Sequence, residues 1–155
     1  MKVLVAIDGS GHSDAAVDEV ARRPFLPGSE VRIISVVDTA YYPPVFPGEG
    51  PGNPALFLEI DAAARIRARA ALDKAAATIT AVGVNRTVTL TTEVLSGSAK
   101  RAILQEAEAI GADLIVVGSH GHGHFERFRL GSVSHAVAIH ALCSVEIVRI
   151  PQAGK

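Results

Sequence analysis

The chain has 155 residues, 48% of them apolar, and its 15 basic and 16 acidic residues leave a formal net charge of −1. A chain of this length is typical of one domain, so we expect residues 1–155 to form a single domain. The balanced charge excludes a global positive field that would attract nucleic acid or an anionic membrane. Because Cys143 is the only cysteine, an intramolecular disulfide and a multi-cysteine zinc site are also excluded, as expected in a reducing compartment.

The N-terminal apolar run is short. It spans Val3–Ile7 and ends at Asp8, which is too short for the apolar region of a secretory signal. Nowhere does an apolar run approach the ~20 residues needed to cross a bilayer. We therefore expect a soluble, cytoplasmic protein without a membrane span.

Short apolar runs alternate with segments of helical spacing. The runs are rich in Val and Ile and nearly continuous, which is typical of strands covered on both faces. They predict five strands, over Val3–Ile7, Val31–Val37, Val88–Leu95, Leu114–Val117 and Val145–Ile150. The intervening helices are predicted over Ser13–Arg22, Ala62–Ala81, Ala99–Ile110 (with Ser98 as N-cap and Gly111 as stop) and Val133–His140. This alternation predicts an α/β fold with a parallel sheet and right-handed crossovers.

One segment breaks this rhythm. Tyr41–Pro54 contains five prolines and three glycines, which predicts a long loop after the second strand. Loops at the carboxyl ends of strands border the ligand crevice of a doubly wound sheet. A plain surface insertion and a flap that covers a base with Tyr41, Tyr42 or Phe46 are both compatible with this composition.

The most informative stretch follows the fourth predicted strand. Gly118-Ser119-His120-Gly121 comes directly after that strand, and Gly131-Ser132 comes directly before the last helix. Glycines allow backbone N–H groups to approach an anion without a Cβ in the way. A helix start adds unpaired amides and the positive end of the helix dipole. This arrangement predicts a binding site for the phosphates of a nucleotide.

Competing signatures are absent or broken. The chain lacks the Gly-x-x-x-x-Gly-Lys-Ser/Thr motif of P-loop NTPases. Asp8–Gly11 begins like a dinucleotide fingerprint, but Asp14 occupies the position of the third glycine and would repel pyrophosphate. A hydrolase triad of Ser119, His120 and Asp8 is not favoured either, because no Gly-x-Ser-x-Gly elbow is present.

Asp8 has two interpretations. It lies at the end of the first strand, which we expect to neighbour the fourth. There it could accept hydrogen bonds from ribose hydroxyls or help to hold a divalent cation. Alternatively, it is a turn or capping aspartate for the following helix. The glycines that follow the fourth strand, which we expect to lie beside Asp8 in the fold, favour the binding interpretation.

These motifs resemble the universal stress protein family. The nucleotide motif of that family is Gly, two residues, Gly, nine residues, Gly, then Ser or Thr, and Gly118, Gly121, Gly131 and Ser132 fit it without a gap. Val5–Ser10 and the tail from Gly131 to Arg149 resemble the opening and the end of the family's sequences, so that the similarity covers essentially the whole chain.

The resemblance implies a three-layer, Rossmann-like fold of the adenine nucleotide α-hydrolase type, with a five-stranded parallel sheet of order 3-2-1-4-5. It also implies that the chain is a single universal stress protein domain of the ATP-binding subgroup, with Mg²⁺ or Mn²⁺ accompanying the nucleotide. By the same resemblance, Asp8, preceded by Ala6 and Ile7, would contact ribose and Val36 would contact adenine. The phosphates would be held by Gly118, Gly121, Gly131, Ser132 and Ser134, with Val117, His120 and Val133 nearby.

Relatives in this family often form homodimers through their last strands. Here Glu146 interrupts the apolar character of that strand. An exposed last strand nevertheless needs a partner or a cover. A homodimer is therefore expected, with its geometry open, alongside an unidentified protein partner.

Histidines alternate with glycines at His120, His122 and His124. Three imidazoles on one side of an extended loop could gather a transition metal, or they could be solvated or touch phosphate oxygens. Arg127 and Arg129 in the same loop could neutralise phosphate charge, which favours the nucleotide. The leading hypothesis is thus an ATP-binding regulator of a stress response. A slow Mg-dependent ATPase and a histidine-loop metal sensor are the alternatives.

Overall fold

The computed structural model describes residues 1–38, 54–82, 88–121 and 130–150. Strands and helices alternate along them. The strands are β1 (Lys2–Ile7), β2 (Glu30–Val37), β3 (Thr89–Ser96), β4 (Leu114–Gly118) and β5 (Ser144–Val148). The helices are α1 (Gly11–Arg22), α2 (Pro54–Ala81), α3 (Ala99–Ile110) and α4 (Ser132–His140).

The five strands form one parallel sheet of order β3-β2-β1-β4-β5, as the resemblance implied. In the register of this sheet, Ile7 lies opposite Ser35 and Ala6 lies opposite Val117. The carboxyl ends of β1, β2 and β4 are therefore nearly level. Residues that follow these three strands meet at one edge of the sheet.

Two apolar layers enclose the sheet. On one face, side chains of α1 and α2 pack on Val3, Val5 and Ile7 of β1. On the other face, Leu4 and Ala6 of the same strand pack with α3 and α4. The two connections that follow β1 and β4 thus leave toward opposite faces, and a crevice opens between such strands in doubly wound sheets. This geometry confirms the predicted three-layer α/β fold.

Helix α2 is longer than predicted. It begins at Pro54, the last residue of the predicted loop, and not at Ala62. Proline is favoured in the first turn of a helix, where its missing N–H costs nothing. The first turns carry exposed apolar residues such as Leu58, whose exposed fraction is 72%, so that they lack the amphipathic spacing by which a helix is identified. Residues 39–53, including Tyr41, Tyr42 and Phe46, lie outside the described residues, and the flap stays a prediction.

The predicted helix signals differ in how they act. The N-cap of α1 is Ser10, whose Oγ accepts a 3.3 Å hydrogen bond from the Ser13 N–H. Ser98 occupies the predicted N-cap position of α3 but makes no side-chain capping bond. Gly111 ends α3 in the left-handed conformation with φ 62°, as its glycine identity predicted.

The charged residue in the last strand has an internal partner. Glu146 Oε2 lies 2.5 Å from Nη2 of Arg23, the C-cap residue that follows α1. Because side chains alternate along a strand, Glu146 and Val148 point to the α1 side, while Val145 and Ile147 pack on the α3 and α4 side. The charge is therefore compatible with a strand at the edge of the sheet. Within the described ranges, no helix has both the length and the apolar character needed to span a bilayer.

Candidate functional site

A pocket of about 200 Å³ opens at the carboxyl edge of the sheet, between the ends of β1 and β4. All twelve residues predicted from the sequence line it, and the structure thus brings them together. They are Ala6, Ile7, Asp8, Val36, Val117, Gly118, His120, Gly121, Gly131, Ser132, Val133 and Ser134. Three lining residues were not predicted as site residues, namely Ser13, Ala99 and Ile103.

One wall of the pocket is apolar. Ala6, Val36, Val117 and Val133 contribute to it from three strands and from α4, and Ile103 contributes from α3. All five belong to the layer between the sheet and the α3–α4 pair. The place of Ile103 in this wall follows only from the packing of α3. Such a wall suits a flat apolar group such as a purine base.

Asp8 lies where β1 leaves the sheet. Its Oδ1 accepts a 2.9 Å hydrogen bond from the Ser10 N–H, which is the turn interpretation. Its Oδ2 faces Gly121, since a Cβ built at residue 121 would lie 2.6 Å from that oxygen. The carboxylate is thus oriented by the turn and also lines the pocket. The two interpretations of Asp8 do not exclude each other.

Helix α4 points its N-terminus at the pocket. Its first intrahelical bond runs from the His135 N–H to the Gly131 carbonyl, at 2.9 Å. The N–H groups of Ser132, Val133 and Ser134 therefore have no acceptor within the helix. All three residues line the pocket. Together with the positive end of the helix dipole, these amides make the start of α4 suitable for an anion.

Other polar groups at this helix start have partners within the protein. The Gly131 N–H donates to the Ser119 carbonyl at 2.8 Å. The Ser134 hydroxyl lies 3.0 Å from the carbonyl oxygens of both Ser119 and Gly131, and its proton can be donated to either. These bonds hold α4 against the end of β4. Gly131 and Ser134 thus position the helix, so that any phosphate contact by Ser134 would come from its main-chain amide.

Gly118 is required by the packing of α1. A Cβ built at this position would lie 2.6 Å from the carbonyl oxygen and 2.7 Å from the carbonyl carbon of His12. The sequence suggested that a glycine here allows a phosphate to approach. The structure supplies a second reason, because α1 crosses the end of β4 too closely for any side chain.

His12, Ser119 and His120 form a hydrogen-bonded group at the rim of the pocket. Ser119 Oγ lies 3.3 Å from Nδ1 of His12 and 3.2 Å from Nδ1 of His120. The two ring centroids are 5.1 Å apart. Nε2 of His120 is buried and has no hydrogen-bond partner in the described part of the chain. Sequence reasoning missed His12 and the role of Ser119, since the two are 107 residues apart and only the neighbouring positions of β1 and β4 bring them together.

The metal interpretation of the histidine loop stays a prediction. His122, His124, Arg127 and Arg129 lie outside the described residues. Among the residues that are described, no group of three or more His, Cys, Asp or Glu side chains is arranged to hold a metal ion.

Cys143 lies outside the pocket, in the turn before β5, and is half-buried. Burial raises the pKa of its thiol, and the nearby Asp113 carboxylate raises it further. A raised pKa lowers the thiolate fraction and hence the reactivity. The Cys143 thiol is therefore expected to be unreactive.

Comparisons with known proteins agree with this geometry. The model of the universal stress protein family matches residues 1–149. A Thermus aquaticus protein named universal stress protein in QAH/OAS sulfhydrylase 3′ region is 33% identical over 148 residues, which are 95% of this chain and 97% of that protein. The structure of universal stress protein UspA from Lactobacillus plantarum aligns with a TM-score of 0.73 and 27% identity, covering 96% of this chain and 97% of that one.

Some similar structures contain a nucleotide. A universal stress protein in complex with cAMP is 25% identical, with a TM-score of 0.64 and 96% of both chains covered. Two others share the fold at lower identity. The Arabidopsis thaliana protein with AMP bound has 19% identity and a TM-score of 0.68, covering 98% of this chain and 93% of that one. The Archaeoglobus fulgidus protein in complex with dAMP has 21% identity and a TM-score of 0.63, covering 95% and 96%.

Proposed function

The chain belongs to the universal stress protein family, and on that premise we propose that it binds an adenine nucleotide, ATP first among them, and regulates a stress response according to nucleotide occupancy. One observation carries this proposal. A single pocket combines an apolar wall, a carboxylate oriented by a turn, and a helix N-terminus whose first three amides have no intrahelical acceptor.

Each part of the pocket fits one part of the ligand. The adenine ring would lie on the apolar wall next to Val36, the ribose hydroxyls would donate to Asp8, and the phosphates would accept from the amides of residues 132–134. AMP, cAMP and dAMP, the ligands of the three similar structures, share the base and one phosphate but differ in their ribose hydroxyls. We therefore assign most of the recognition to the apolar wall and to the helix start.

Mg²⁺ or Mn²⁺ would be held mainly by the nucleotide. Mg²⁺ commonly takes one or two carboxylates, several waters and phosphate oxygens as ligands. Asp8 is the carboxylate among the described pocket residues, which fits such a site with the phosphates supplying the other anionic ligands. The cation would neutralise phosphate charge. Slow hydrolysis ranks below binding, because no second acid and no glutamine that could position a water accompanies Asp8 among the described lining residues.

Isothermal titration of nucleotide-stripped protein with Mg-ATP, ADP and AMP tests the proposal. We expect saturable binding that Asp8→Ala weakens about tenfold or more, as a lost hydrogen bond to a charged group does. Asp14→Ala is the matched control. Asp14 lies nearby in α1, but it pairs with Lys74 at 2.6 Å and does not line the pocket. The absence of heat with every adenine nucleotide would refute the proposal. Phosphate release measured in the same samples would detect hydrolysis.

We also propose a homodimer through β5. This strand pairs with β4 on one side and ends the sheet on the other, where its free backbone groups can pair with a second chain. Glu146 does not oppose this, since Arg23 neutralises it within the chain. Native mass spectrometry of the protein as purified should give the mass of two chains, together with any retained nucleotide. A monomer at all concentrations contradicts the dimer but leaves nucleotide binding in place.

A further inference from the structure

Within the described part of the chain, the group of His12, Ser119 and His120 leaves one buried hydrogen-bonding atom without a partner. Ser119 is 1% exposed, and its hydroxyl lies within hydrogen-bonding distance of an Nδ1 atom on each histidine ring. Nε2 of His120 is buried, has no partner among the described residues, and belongs to a side chain that lines the pocket. A buried polar atom without a partner costs free energy, and this one lies where a ligand would bind.

When both rings carry a single proton, the serine hydroxyl restricts which nitrogen of each ring carries it. It has one proton to donate and lone pairs to accept with, so it donates to one Nδ1 and accepts from the other. In one direction, His12 Nδ1–H donates to Ser119, Ser119 donates to His120 Nδ1, and His120 carries its proton on Nε2. In the opposite direction, His120 Nδ1–H donates to Ser119, and Nε2 of His120 is left with a lone pair.

A phosphate ligand can be bound only by the first of these two directions. Phosphate oxygens are hydrogen-bond acceptors, and they require a donor on Nε2. We propose that His12, Ser119 and His120 form a directed hydrogen-bond chain that presents the Nε2–H of His120 to a phosphate oxygen of the bound nucleotide, with His12 as the positioning residue at the far end. This inference rests on the proposed nucleotide binding, and it assigns roles to two residues outside the twelve of the predicted site.

The far end of the chain is held firmly. His12 lies in the first turn of α1, and its carbonyl group packs against the end of β4 so closely that only glycine fits at residue 118. The other end is held too, because the Ser119 N–H donates to the Val148 carbonyl at 2.8 Å and the Ser119 carbonyl accepts from Gly131. The direction of the hydrogen-bond chain therefore depends on the residue at position 12. His12 can be replaced without replacing a residue that lines the pocket.

Nitrogen-15 NMR of the imidazole groups reads the direction of the chain. In protein without ligand we expect His120 to carry its proton on Nε2 and His12 to carry its proton on Nδ1. Addition of Mg-ATP should shift the Nε2–H resonance of His120 and leave its tautomer unchanged. A His120 proton on Nδ1, or a doubly protonated His120 ring in the complex, overturns the proposed chain.

Variants at position 12 test whether direction controls affinity. Asparagine places an N–H near the position of Nδ1, whereas leucine offers neither donor nor acceptor. We expect His12→Asn to bind ATP within about twofold of the unmodified protein and His12→Leu to bind about five- to tenfold more weakly, with mixed His120 tautomers. His135→Leu, at an exposed position on α4 outside the chain, is the control and should not change the affinity. Thermal unfolding of each variant shows whether the fold is intact.

The outcomes separate the two proposals. If ATP binds the unmodified protein and His12→Leu equally well, the chain has no role in binding, while the proposed function stands. If no adenine nucleotide binds, the proposed function fails. Titration with inorganic tripolyphosphate then tests the hydrogen-bond chain separately. If the His120 Nε2–H resonance does not shift at saturation, the proposed hydrogen-bond chain is overturned.

Discussion

Replacing Gly118 by alanine should destabilise the fold, because helix α1 and not solvent occupies the space beside this residue. The added Cβ would lie 2.6 Å from the His12 carbonyl oxygen, 2.7 Å from its carbonyl carbon and 3.0 Å from its Cβ. Non-bonded carbon atoms are most favourably separated by about 3.5–4.0 Å. Two of the three contacts are with backbone, which cannot rotate away as a flexible side chain can. Either α1 or the end of β4 must therefore move.

The cost can be estimated from overpacking in protein cores. Extra methyl groups in well-packed sites cost about 1–3 kcal/mol, and a clash with backbone belongs at the upper end, at about 3 kcal/mol. In a domain of this size each kcal/mol lowers the midpoint of thermal unfolding by about 2–4 °C, so a decrease of about 6–12 °C is expected. The displacement would also move His12 and with it Ser119.

Urea and thermal unfolding of Gly118→Ala measure this cost. Gly11→Ala is the matched control, since Gly11 begins the same helix and, of the residues that the structure describes, its added Cβ would meet only the Ile150 side chain, at an ordinary distance of 3.7 Å. That control should stay within about 0.5 kcal/mol of the unmodified protein. If Gly118→Ala is equally neutral, the close approach of α1 to β4 is wrong.

Three further substitutions test the site, the sheet edge and the thiol. Gly121→Ala places a Cβ 2.6 Å from Asp8 Oδ2, and the carboxylate can move away from it. Titration with ATP should therefore show a loss of about tenfold or more in affinity, while the free energy of unfolding changes by less than about 1 kcal/mol. Unchanged affinity would contradict a role for Asp8. Glu146→Gln removes the charge that pairs with Arg23. Urea unfolding should show that the free energy of unfolding falls by about 1 kcal/mol, and this decrease should be smaller in high salt. A decrease that does not depend on salt would rule out an ionic cause. The pKa of Cys143 is raised in the fold, so its thiol keeps a proton that the unfolded chain releases at alkaline pH. The free energy of unfolding should therefore fall as the pH rises through the alkaline range, and it should fall less steeply in Cys143→Ala. Equal slopes for the two proteins would contradict the raised pKa.

The strands and most helices could be predicted because their signals are local. Runs such as Leu114–Val117 are continuous and apolar since both faces of a central strand are covered, and Gly111 ends its helix because it readily adopts a positive φ. The first turns of α2 could not be predicted in the same way. Leu56, Leu58 and Ile60 are exposed, so those turns have no apolar stripe facing a core.

The sequence by itself determined the fold class, the order of the strands through the family it resembles, and twelve of the fifteen residues that line the pocket. The glycines between β4 and α4 lie within one short stretch of sequence, so their spacing can be recognised directly. A strand that is followed by a helix also predicts where the end of the strand and the start of the helix lie. Only the tertiary structure decided which atoms at these positions have partners. It showed that the Gly131 amide is already bonded, that α1 fills the space beside Gly118, and that Ser119 joins His12 to His120. Such contacts join residues far apart in the chain, and their distances depend on how the helices pack against the sheet, which leaves no mark in local sequence spacing.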